Sequence, residues 1–263
     1  RIRKTGQDLK TEINSKFKDA VKSLKKHGSV IYCVPTGFTG NNENIALLRH
    51  VTGFSAGKEC SYFYFPLGNM DSTPQIIGSM DKTDDKKLLS LLITGKEIKK
   101  FVEISSAEFI HGINIIQRFS NLCTVLEVCK SVNNNTKSVK TFADYADIYL
   151  DDVTTGLFDL RSLGASFEGA QTLMYLINGS IRGINGYIKR LIDTVRITLK
   201  KNDLKAAKTK IILAWTLDVN EIRADKIEML KSLSSKLRDY IGDVETAEEG
   251  VNSFYSDKTT IIV

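Results

Sequence analysis

Apolar residues recur at three- and four-residue intervals through most of this chain, the spacing that lines one face of an α-helix. Residues 7 to 27 set Leu9, Ile13, Phe17, Val21 and Leu24 on one face before Gly28 stops the pattern, and the opposite face is almost all lysine. After Asp84 and Asp85 the helical period returns with Leu88, Leu91 and Leu92. It runs on near 97 to 131 with Phe101, Ile104, Phe109, Ile113, Ile116, Phe119 and Leu126 turned toward a core. Further helices are predicted over about 140 to 163, 167 to 200 and 204 to 241, the last carrying Leu213, Leu217, Ile222, Leu230, Leu233 and Leu237. No proline follows Pro74, so nothing in this half removes a helical backbone donor.

Between the first helix and this half the texture changes. Ser29 to Pro35 and Ser61 to Pro66 are β-branched or aromatic runs, each ended by proline, with glycine-rich turns between them and room for a short helix over Asn44 to His50. The tail Thr259 to Val263 is strand-like and is expected to pair with this small sheet. The pattern therefore predicts a mainly α protein: an elongated antiparallel bundle of long helices with a small β-containing N-terminal region. Its segments are a basic amphipathic helix (1–28), a β/loop region (29–82) and the bundle (83–263).

The chain has 263 residues, 42% of them apolar, enough for a sizeable core, and no apolar run approaches the ~18 residues that span a bilayer. The net charge of +6 is unevenly placed. Residues 1 to 28 hold nine Lys or Arg against three acids, so the remainder is neutral. A second basic stretch, 179 to 210, faces an acidic one at 141 to 169, and helices of opposite sign can neutralise each other side by side. The N-terminal helix has no such local partner. Its apolar stripe either docks on the bundle or, with its lysines, seeks an anionic surface. The contact residues for a membrane or a polyanion would be Lys10, Lys18, Lys22, Lys25, Lys26, Arg182, Lys189, Arg190, Arg196, Lys200 and Lys201.

Chemistry-bearing motifs are sparse. Tyr149-Leu-Asp-Asp152 matches a paired-carboxylate metal motif of reverse transcriptases, but it lies in a helix-period pattern and reads as a solvated acidic face, as do Asp144 and Asp147. The stretch Gly53 to Glu59 resembles a shortened phosphate loop with a glutamate where a hydroxyl belongs. His27, His50 and His111 are scattered, and His111, in an apolar helix, reads as a core histidine. No two cysteines form a C-x-x-C pair; Cys33 and Cys60 could be bridged in an oxidising compartment, while Cys123 and Cys129 read as buried thiols. Five glycines, Gly164, Gly169, Gly179, Gly183 and Gly186, fall in a low-charge stretch, where they serve close helix packing, helix ends or insertion into a bilayer. No family matches the chain over more than a few residues. Tyr32-Cys-Val-Pro-Thr-Gly-Phe38 resembles a phrase in insecticidal cytolysins, which are richer in strands.

These readings predict a protein that is not an enzyme and needs no cofactor or metal. The leading expectation is a secreted, self-assembling, membrane-interacting toxin of helical pore-forming type. The alternatives are a nucleocapsid-like binder of single-stranded nucleic acid, using 1–28 and 179–210, and a soluble secreted interaction protein.

Overall fold

The computed structural model describes residues 7–66, 75–81, 99–131, 160–161, 163–164, 171–215, 225–248 and 259–262. It divides into two compact units: Lys10–Leu122 with Gly156–Ser180, and Arg1–Leu9 with Cys123–Thr155 and Ile181–Val263.

The first unit opens with α1 (Gln7–Val21), followed by β1 (Ser29–Tyr32), α2 (Gly40–Thr52), β2 (Ser61–Tyr64), β3 (Gln75–Ser79) and β4 (Lys99–Glu103). The helix α3 (Ile104–Ser131) then begins directly from β4, and its residues from Cys123 on belong to the second unit. The four strands form one sheet in the order β1-β2-β3-β4. β1 and β2 are parallel, Ser29 opposite Ser61 through Tyr32 opposite Tyr64, and α2 supplies the crossover that a parallel pair requires. β3 reverses against β2 and β4 runs parallel to β3. Phe63, Phe65, Ile77 and Phe101, with Ile31, form a core cluster of this unit. Gly78 sits where a Cβ would come within 3.0 Å of both Ala107 and the Ile104 backbone, so the missing side chain lets the first turn of α3 lie on β3.

The second unit holds most of α4 (Gln171–Lys201), a short 3₁₀ turn (Ala206–Lys208), β5 (Thr209–Trp215), α5 (Asp225–Arg238), β6 (Val244–Glu248) and β7 (Thr259–Ile262). β5 is the central strand, with β6 and β7 both parallel to it. Its core joins Ile188, Ile192, Val195 and Leu199 of α4 to Ile211 and Leu213 of β5, Leu237 of α5, Ile241 and Val244. Each such side chain, fully buried, contributes about 1.5–3 kcal/mol.

This architecture corrects the expected helical bundle in three places. The helix predicted over 204 to 241 is a strand, a helix and the approach to a second strand. Ile211, Ile212 and Leu213 are all buried on both faces of a parallel sheet, and such strands are apolar without alternation, which removes the period that would have marked them. The tail at 259 does form a strand, but its partner is β5 rather than the small N-terminal sheet. The long helix starts at Ile104, not near 97, because Phe101 belongs to β4. Its buried stripe runs through Ala107, His111, Ile115, Phe119 and Leu122, leaving Phe109 and Ile113 on the exposed side. Most of the predicted 140–163 helix, the Tyr149–Asp152 motif, and Asp144 and Asp147 lie outside the described residues, as does the helix predicted after Asp84.

Candidate functional site

The C-terminal end of β1 leads through Cys33–Thr39 into α2, and this turn holds a buried polar network. Thr39, the residue preceding α2, has φ 62° and caps nothing with its own side chain. The helix start is satisfied instead by Glu108, which comes from the second turn of α3 and is only 3% exposed. Its carboxylate accepts hydrogen bonds from the backbone N–H of Thr39 at 2.9 Å and of Asn41 at 2.8 Å, and from Asn41 Nδ2 at 2.7 Å. Thr36 Oγ1 lies 3.4 Å from the same carboxylate. The N-terminal amides of a helix favour an anion, and here a side chain remote in sequence supplies it.

The network continues into the sheet. Tyr62 Oη donates to Asn41 Oδ1 at 2.6 Å, and the Thr36 N–H donates to Tyr64 Oη at 3.2 Å. Tyr32 stacks on Tyr62 with ring centroids 6.4 Å apart. Burial pushes the Tyr32 phenol up to about 12, and burial together with the neighbouring Tyr32 raises Tyr62 as well. A phenol whose folded pKa is raised stabilises the fold fully below its unfolded pKa near 10, and that stability is lost as pH rises through the folded value. Unfolding free energy is therefore expected to fall between pH 10 and about 12, with Tyr32→Phe flattening the slope. A slope unchanged by Tyr32→Phe in urea unfolding at stepped pH would contradict this account.

Beside the network runs a groove of about 1000 Å³. One face of α2 (Asn42, Ile45, Arg49 and His50) forms one wall, and Ser79 at the end of β3 and Glu103 at the end of β4 lie on the other. It offers cationic, acidic and apolar surface together. The four hydrogen-bonding approaches to Glu108 leave that carboxylate committed within the fold, although it borders the groove.

The residues predicted for membrane or polyanion contact are divided between the two units. Ile13, Phe17 and Val21 of α1 are buried, Phe17 packing edge-on against Tyr32 at 5.3 Å, so the apolar stripe docks within the first unit. Lys10 lies in α1, and Lys18, Lys22, Lys25 and Lys26 are exposed at or just after it, Lys22 pairing with Asp19 and Lys26 with Glu59. In α4, Arg182, Lys189, Lys200 and Lys201 are exposed. Arg190 donates to the Leu126 carbonyl at 2.9 Å, and Arg196 pairs with Asp193 and lies 4.6 Å from the Tyr240 ring centroid. Of the glycines, Gly183 faces Cys123, a Cβ there coming within 2.9 Å of Sγ, and one at Gly164 would come within 3.3 Å of Ile177; at Gly179 and Gly186 it would meet nothing within 4 Å. Gly169 lies outside the described residues. Cys33, Cys60 and Cys123 are free thiols.

No family model matches the chain, and no curated protein matches it by sequence. Solved structures match it by fold. The UDP-D-ManNAc dehydrogenase of Pyrococcus horikoshii superposes with a TM-score of 0.61 at 13% identity, over 93% of this chain and 62% of that one. A UDP-glucose dehydrogenase of the archaeon Pyrobaculum islandicum gives 0.60 at 14%, over 96% and 64%. The UDP-N-acetyl-mannosamine dehydrogenase of Staphylococcus aureus gives 0.57 at 15%, over 90% and 59%. The chain thus spans about three fifths of the length of the structures it matches. The expectations of a pore-forming toxin built as a helical bundle, of membrane or single-stranded nucleic-acid partners drawn from the basic segments, and of a non-enzymatic protein drawn from the sparse motifs are overturned by this likeness, since the folds matched are those of enzymes. No helix among the described residues is long and apolar enough to cross a membrane. The chain has a mixed α/β fold like that of these structures, with two β-sheets interleaved among its helices.

Proposed function

We propose that this chain is a nucleotide-sugar dehydrogenase-type protein. The observation that carries the reading is the extent of the likeness: it covers 90% or more of the chain for each of three sugar-nucleotide dehydrogenases. Such an enzyme removes a hydride from a sugar carbon and needs an acceptor for it, and on a Rossmann-type sheet that acceptor is a nicotinamide dinucleotide. When bound, the dinucleotide supplies the oxidising step.

The residues of the β1–α2 turn do not fit the diphosphate of that cofactor. A diphosphate-cradling turn carries glycines as G-x-G-x-x-G and presents free amides at the helix start. Here Gly37 and Gly40 stand at the second and third glycine positions, but Pro35 takes the first, and the amides of Thr39 and Asn41 already donate to Glu108. The reading therefore rests on the fold, and no catalytic step is drawn through this turn.

The test is to incubate the protein with NAD⁺ or NADP⁺ and a panel of UDP-sugars, following nicotinamide reduction by absorbance and UDP-sugar binding by calorimetry. Sugar-nucleotide binding with sugar-dependent reduction is the expected result. A folded protein that neither binds a UDP-sugar nor reduces either cofactor would overturn the proposal.

A further inference from the structure

We infer that the anion site at the N-terminus of α2 is filled by the protein's own Glu108, which stands where a helix-bound phosphate oxygen would stand and closes this βαβ unit to phosphate. The meaning of this for a dinucleotide rests on the dehydrogenase reading; the filled site itself does not.

The α2 helix has 13 residues, follows a strand whose neighbour is parallel to it, and begins after a residue in the left-handed region. That is the setting in which α/β proteins seat the phosphates of nucleotides, with amides converging on the ligand. In this chain the convergence is complete without a ligand. Two backbone amides and the Asn41 side-chain amide meet one carboxylate at 2.7 to 2.9 Å. Asn41, itself fully buried, is held in turn by the Tyr62 hydroxyl, so the donors are fixed from both sides. An incoming phosphate would have to displace a buried charge that keeps three strong donors, and would meet it as a like charge while doing so. A cofactor diphosphate bound by this fold must therefore be held by other groups.

Amide resonances read the site directly and do not depend on turnover, so failure of this inference and failure of the dehydrogenase reading are separable. In the wild-type protein, the Thr39 and Asn41 N–H signals should be unmoved by inorganic phosphate. In Glu108→Ala, they should shift saturably with inorganic phosphate or acetate, and either anion should raise Tm, an effect absent in the wild type. Wild-type signals that follow phosphate, or a folded Glu108→Ala that answers neither anion, would overturn the inference. Should Glu108→Ala not fold, Glu108→Gln takes its place as a near-isostere without the charge. Its Thr39 and Asn41 signals should move upfield as the charge-assisted bonds are lost; unchanged signals would count against the built-in anion, and the wild-type phosphate titration decides independently.

Discussion

Replacing Glu108 by alanine is expected to destabilise the protein by about 3–5 kcal/mol, the range for removing one partner from a buried charged network. The loss has two parts. The carboxylate's own hydrogen bonds disappear, and the buried Asn41 amide is left without its acceptor at a cost of about 1–3 kcal/mol unless water enters, while Asn41 Nδ2 keeps Thr36 Oγ1 at 3.1 Å. At roughly 2–4 °C per kcal/mol for a chain of this size, Tm should fall by about 10 °C. Glu108→Gln keeps one carbonyl acceptor and should lose less. A calorimetric shift of under ~1 kcal/mol for the alanine variant would show that the network is not what holds the start of α2.

A comparable effect is expected in the second unit. Ile211 is fully buried on the central strand β5, flanked by Val244 of β6 and Ile261 of β7 and packed with Ile188 and Leu237 in one cluster. Ile211→Ala should cost about 2–5 kcal/mol, the spread reflecting how far the surrounding side chains close the cavity. Ile197 on α4 is 65% exposed, and its replacement by alanine should stay within about 0.5 kcal/mol. Urea unfolding of the two variants side by side tests the assignment of the core. Equal midpoints would refute it.

What was legible in the sequence depended on whether a segment's burial left a period. β1 and β2 could be read because their β-branched and aromatic runs are short and stop at Pro35 and Pro66. α4 could be read because Ile177, Ile184, Ile188, Ile192, Val195 and Leu199 keep helical spacing and are all buried. β5 could not: Ile211 to Trp215 is an unbroken apolar run, and such a run has no phase to separate a strand buried on both faces from a buried helix. In α3 the misleading residues were the apolar ones. Phe109 and Ile113 are exposed because the buried face is the one that carries Glu108 and His111, a choice made by the polar network and the packing on β3. His111 is buried, as an apolar helical setting led one to expect. The network itself left no local trace. Glu108 and Asn41 are 67 residues apart, and neither stands in a motif. Of the lysines that dominated the charge map, Lys22 pairs with Asp19 and Lys26 with Glu59.

The strand order of the second sheet has a consequence for synthesis. β5 is complete as residue 215 leaves the ribosome, yet one of its edges is paired only by residues 259 to 262. Until then Thr209 to Ile212 present unpaired backbone groups beside an apolar surface, the kind of edge that recruits strands from other chains. A nascent chain stalled between β6 and β7 would thus expose an adhesive edge, and its capture by chaperones during translation would be governed by the short interval before the last strand emerges.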